Sequence, residues 1–428
     1  MGQEGGGRLS RTLLPVAAGV MLAVLTGAVR PGFAEEKNPA VLVQQLADPT
    51  LRAGAREGLL ALDAAKAMAE LEKALSSKKS SELLRREIIR VLPDFGARGV
   101  AALIGALKDP MLEFEAARTL STRTGDAAVA AAMLDLLEKS PNPKVRLLAL
   151  DWLAENGDAK RINGLLTRML ADSSDKVRAR AGELVVSRIG LQALPELMEL
   201  LRQAEFARSV ANRGLRLALL ETFGLMGQKG PTEAARVVPT LLQALGEEDE
   251  AQVAVAALVR IGAPSVSSLL MILKAGDSKR AAAAMDALLS IGSKAAPEVV
   301  SLLQAKHPKM REMAVQFLSF YQDPAVFPLL VKMYGGAAPD DKVIILRIVS
   351  LYGTRETVDF VIRATTDDNA KVRAESVRIL AATGDPAAVP VLLARAEEDS
   401  DMDIRLSAIA GLFSMGELSA GPSFARML

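Results

Sequence analysis

The chain has 428 residues, half of them apolar, 24% charged and 4% aromatic, with 52 Lys plus Arg against 51 Asp plus Glu. That apolar content excludes a disordered chain, and charge neutrality argues against nucleic-acid binding, which needs a surplus of Lys and Arg over phosphate. With no cysteine and one histidine, His307, the composition also excludes disulfides, thiolate chemistry, multi-histidine zinc sites and any catalytic triad not built on that residue.

The first element is an export signal over residues 1–34. Arg8 and Arg11 precede the uncharged apolar run Leu13 to Leu25, and the small residues Gly32 and Ala34 stand just before Glu35 and Glu36. Basic, apolar, then small-x-small is the order of a secretory signal, with cleavage expected after Ala34. An uncleaved anchor competes, because Leu13 to Val29 carries no charge, but Pro15, Gly19 and Gly27 weaken a spanning helix. Cleavage would take basic residues from 52 to 49 and acidic ones from 51 to 50, leaving a neutral protein suited to a bacterial periplasm. The membrane would then be met only in transit.

Residues 35–428 read as one domain built from a repeat. A glycine recurs at positions 96, 125, 157, 190, 227, 262, 292, 353, 384 and 416, and Gln322 stands where one more is due. The spacing is about 32 residues, giving about 11–12 units with a partial one near residues 38–63. Four residues before each marker stand Leu92, Ser121, Leu153, Val186, Phe223, Leu258, Leu288, Leu318, Val349, Leu380 and Leu412. Only Ser121 breaks that apolar column. Eight before the marker the residues are small or apolar, and six before it mostly polar, as at Arg90, Asp151, Gln316, Arg347 and Arg378. Positions four apart share a helix face and an offset of two changes face, so each marker ends an amphipathic helix. A second helix lies upstream in each unit, as in Ala387 to Leu393, and cap residues separate the two, as at Asn142-Pro143.

The stretch Lys371-Val372-Arg373 through Gly384-Asp385-Pro386 to Leu393 resembles a bacterial HEAT repeat, in the short form typical of phycobilisome lyases. Lys144-Val145-Arg146, Lys176-Val177-Arg178 and Asp403-Ile404-Arg405 carry the same signature, and the resemblance covers about residues 38–417. It implies an all-α, right-handed alpha-alpha superhelix, the HEAT/armadillo-type solenoid. It also implies that Arg146, Arg178, Arg373 and Arg405 belong to a polar ladder linking neighbouring units.

Other candidate chemistry is sparse. The over-length unit ending at Gly227 carries Arg202, Arg208, Arg213 and Arg216 around a stretch expected to be a loop, where an acidic partner could dock. His307, in Lys306-His307-Pro308, reads as a solvated loop residue. Asp399-Ser400-Asp401-Met402-Asp403 opens like a calcium loop but has Ile404 and Ala410 where that loop needs glycine and glutamate. Seven of the fifteen aromatic residues fall between 317 and 360. Among them Phe320, with Leu351 in the next unit, occupies a column that is polar in most other units. That pair, rimmed by Gln316 and Arg347, is the expected docking site for another protein, unless residues 335–341 fold back over it. The function expected is therefore a non-catalytic periplasmic scaffold with a protein partner and no cofactor, metal or nucleic acid. The alternative is a lyase or carboxylate-based hydrolase on the same solenoid.

Overall fold

A computed structural model describes residues 38–206, 210–417, 421 and 425. The expected signal, its cleavage point after Ala34, and Arg208 lie outside the described residues. The chain divides after Gly157 into two compact units.

Among the described residues, the first unit holds four antiparallel helix pairs: Pro39–Gln45 with Arg52–Leu60, Ala64–Ser76 with Glu82–Val91, Gly96–Ala106 with Glu113–Leu120, and Ala127–Lys139 with Pro143–Asn156. The second holds eight, from Ala159–Met169 with Asp175–Arg188 to Val389–Glu398 with Met402–Ser414. Its later pairs include Pro231–Ala244 with Ala251–Ile261, Val326–Tyr334 with Pro339–Ser350, and Arg355–Ala364 with Ala370–Thr383. No strand occurs among the described residues. The chain thus forms the all-α superhelical solenoid that its repeat implies.

Local chemistry starts and stops these helices. Asn142 accepts from the Lys144 N–H at 3.0 Å with Pro143 at the first helical position, and Asn369 accepts from the Lys371 N–H at 3.0 Å. Most marker glycines take positive φ, as the repeat predicts, but two do not. Gly157 is extended, and Gly227 is the last residue of the helix Val210–Gly227. At Gly227 the need is space: a Cβ there would lie 2.6 Å from the Ile261 side chain.

Stacking follows the columns. The apolar column four before the marker is buried throughout except at Ser121, and the small-residue column eight before it is buried as well. Second helices lie against their successors, Asp175–Arg188 on Val210–Gly227 and Ala370–Thr383 on Met402–Ser414. Small side chains permit that approach, since a Cβ on Gly224 would lie 2.7 Å from that of Ala257.

Candidate protein-binding surface

Eleven residues before the marker, basic side chains project from the start of the second helix toward the turn that precedes it. Arg146 donates to the Ser140 carbonyl at 2.9 Å, Arg311 to Ala305 at 2.7 Å, Arg373 to Asp367 at 3.0 Å and Arg405 to Asp399 at 2.8 Å. Each caps carbonyls left open where the upstream helix ends. Arg178, one position earlier, does the same to Asp172 at 2.8 Å, and its guanidinium lies against Gly214 of the following repeat.

Several of these cations also reach the next repeat. Arg373 holds the Asp399 carboxylate with two bonds of 2.9 and 3.0 Å, and Lys342 holds Asp367 at 2.7 Å. Asp367 and Asp399 thus take a side-chain bond from the repeat before and a carbonyl bond from their own, so that Lys342, Asp367, Arg373, Asp399 and Arg405 form one continuous run. Burial works to raise both carboxyls, but the cations and backbone N–H groups prevail and hold them below the usual range. Arg85 joins Asp109 in the first unit in the same way.

Arg216 belongs to this set, not to a docking loop. It is 4% exposed and bonds Glu250 at 2.6 Å and Asp249 at 2.9 Å. The expected loop around it is mostly helix, because the extra residues lengthen Val210–Gly227 to eighteen. Arg202 pairs with Glu199 on its own helix, and exposed Arg213 lies 3.9 Å from Asp249. Residue spacing could have revealed Arg216, which shares the register of Arg146, Arg373 and Arg405.

A second clamp, not anticipated from sequence, lies six and nine residues before the marker. Glu375 is held by Arg347 of the preceding repeat at 2.9 Å and by Arg378 of its own. Burial alone would raise its carboxyl; the two guanidiniums outweigh that and bring it down to about 2. Glu87 repeats the arrangement between Arg52 at 3.3 Å and Arg90 at 2.7 Å. Arg347 is therefore a structural tie as well as a rim residue.

The apolar pair is open to solvent. Phe320 is 77% exposed and Leu351 44%, so residues 335–341 do not cover them. Leu289, one repeat earlier, is 43% exposed as well, one position away from their column, which Ser290 occupies there. Tyr321 supports it: its hydroxyl donates to the Leu289 carbonyl at 2.6 Å and its ring packs edge-on to Phe320 at 4.8 Å. Its ring also lies 3.4 Å from where a Cβ on Gly292 would be. Gln316 is exposed one turn before Phe320. Phe317 is core, whereas Tyr352 is half-buried with its hydroxyl unpaired. The remaining aromatics form a cluster of their own, Phe360 meeting Tyr334 at 5.1 Å and Phe327 at 6.2 Å.

His307 is an exposed residue preceding Pro308–Phe320. In the acidic run Asp401 caps the helix Met402–Ser414, accepting from the Asp403 N–H at 2.9 Å, while Asp399 is occupied by Arg373. No cluster of potential metal ligands occurs among the described residues.

The model of one protein family, HEAT repeats, matches residues 130–216, 266–343 and 336–412. No curated protein matches the chain by sequence. Among solved structures it is similar to Kap121p, at 13% identity and TM-score 0.42 over 94% of this chain and 52% of that one. It is also similar to the karyopherin Kap121p bound to the extreme C-terminus of the protein phosphatase Cdc14p, at 14% identity and TM-score 0.42 over 97% of this chain and 54% of that one. The chain thus spans about half the length of these structures.

Proposed function

Because the chain belongs to the HEAT-repeat family, we propose that it is an exported, non-catalytic scaffold that grips another protein along its stacked second helices. The observation that carries this reading is the pair Phe320 and Leu351, large apolar groups left in solvent in one column of two consecutive repeats, with exposed Leu289 one position off that column in the repeat before. A solvent-exposed apolar pair with an aromatic member is the usual form of an association site, and truncating such an anchor costs more binding than its neighbours do. The ladder supports the role by fixing adjacent repeats, so that less ordering is required when the partner binds. Export is supported by Arg8, Arg11 and the apolar run before Ala34, and the place of action would be the periplasm. The enzyme alternative gains nothing from the lowered carboxyls Glu375, Asp367 and Asp399, each of which is occupied by cations.

The double substitution Phe320→Ser with Leu351→Ser tests the surface. Both side chains are exposed, so stability should change by no more than about 1 kcal/mol, while capture of the partner found by cross-linking in intact cells is lost. Undiminished capture, or a loss of roughly 3 kcal/mol or more of stability, would refute it.

A further inference from the structure

Counted from the N-cap of each second helix, the cross-repeat bonds of the ladder follow a rule. The cation stands four residues after the cap, and the carboxylate it reaches stands two residues before the next cap. Lys342, four after Ala338, bonds Asp367, two before Asn369; Arg373, four after Asn369, bonds Asp399, two before Asp401. Arg311 holds the cation's place four after His307 and donates to the Ala305 carbonyl at 2.7 Å. Two residues before the next cap, Ala338, stands Gly336. The acid that would complete this rung is missing.

Residues 292–350 are all described, and no side-chain hydrogen bond or ion pair joins residues 292–320 to residues 326–350. The junctions on either side are tied. Before it, the Tyr321 hydroxyl donates to the Leu289 carbonyl at 2.6 Å and Lys274 to the Ser301 hydroxyl at 3.3 Å. After it, Asp367 accepts from Lys342 at 2.7 Å and from the Tyr334 hydroxyl at 3.1 Å, and Glu375 from Arg347 at 2.9 Å.

Apolar packing is what remains at the untied junction. Val300–Gln304 lies against Val326–Tyr334 and Pro308–Phe320 against Pro339–Ser350, with Leu303, Leu318, Leu330 and Leu346 all buried. Apolar burial is non-directional and lets one face pivot on another, whereas a two-bond guanidinium–carboxylate pair fixes orientation. The first helix on the earlier side is itself interrupted. The 3-10 turns Gly292–Ala295 and Val300–Gln304 leave Ala296–Val299 as its only α-helical turn. Such turns bond less well and often mark hinges.

We propose that the junction between residues 292–320 and 326–350 is a hinge. Phe320 ends the second helix on one side and Leu351 follows the second helix on the other, so the hinge angle sets the spacing of the exposed apolar pair. The consequence for binding rests on the reading of that pair as a docking surface. The hinge itself does not, and it is tested in the free chain, so either can fail without the other.

The chain has no cysteine, so introduced cysteines carry nitroxide labels without further change. Double electron–electron resonance on the full chain compares two label pairs at exposed positions. Met271→Cys with Lys332→Cys spans the untied junction and the tied one before it; Lys332→Cys with Glu398→Cys spans two tied ones. The expected result is a broad or double-peaked distance distribution for the first pair and a narrow single peak for the second. Gly336→Asp supplies the missing acid, at a position where a Cβ meets nothing within 4 Å. It should narrow the first distribution to the breadth of the second, and adding Arg311→Met should restore the breadth. Gly336→Asn, which brings no charge, should leave it broad. Equal breadth for the two pairs in the parent chain overturns the hinge: both narrow means a rigid junction, both broad means flexibility shared evenly among these repeats. A first distribution that Gly336→Asp leaves unchanged overturns it as well. If that variant does not fold, the comparison of the two pairs decides alone.

Discussion

Removing the Arg373 guanidinium while keeping its aliphatic stem, as in Arg373→Met, tests whether the ladder ties repeats together. Arg373 bridges four groups: the Asp367 carbonyl at 3.0 Å, the Asp368 carbonyl at 3.1 Å, the Ser400 hydroxyl at 3.4 Å and both oxygens of Asp399. Asp399 is 3% exposed, and without Arg373 it keeps only the Asp401 N–H at 3.0 Å and Arg395 at 3.7 Å. Stranding a buried carboxylate in this way costs roughly 3–5 kcal/mol. Asp399→Asn in the same chain removes the stranded charge, so the double variant should lose clearly less than the sum of the singles, by about 1–3 kcal/mol. Repeat stacks respond locally, because each repeat is stabilised by its nearest neighbours. Hydrogen exchange should therefore accelerate in Val389–Glu398 and Met402–Ser414, while urea unfolding followed by circular dichroism gives the total loss. A cost below about 1 kcal/mol, additive single variants, or unchanged exchange in those two helices would refute the reasoning.

Glu375 makes a pH prediction with a definite sign. Its carboxyl falls from 4.5 to about 2 on folding, so its contribution is complete above the unfolded value and is lost as pH drops from about 4.5 toward 2. At most about 3 kcal/mol is at stake, and Glu375→Gln should flatten the fall in urea midpoint across that window. A variant with the same slope as the parent would remove Glu375 as the cause. For export, N-terminal sequencing of the native protein should read from Glu35, and a start at Met1 or Gly2 would exclude cleavage after Ala34.

Helix identity, pairing and core were determined by the sequence alone, because they depend on local rules with a short period. The buried column from Leu92 to Leu412 follows from helical spacing, and caps such as Asn142 act within three residues of themselves. The ladder was legible in part, since Arg146 and Arg373 sit in a recognisable signature while Arg216 keeps their register without it. What the tertiary structure decided is which side chains meet across repeats. Arg347 looks like a surface arginine in sequence and proves to clamp Glu375 from the repeat before. Gly227 looks like a helix stop and serves to admit Ile261. The physical reason is the same in each case: amphipathicity sets which face a residue occupies, whereas the stacking of one repeat on the next sets what lies opposite it.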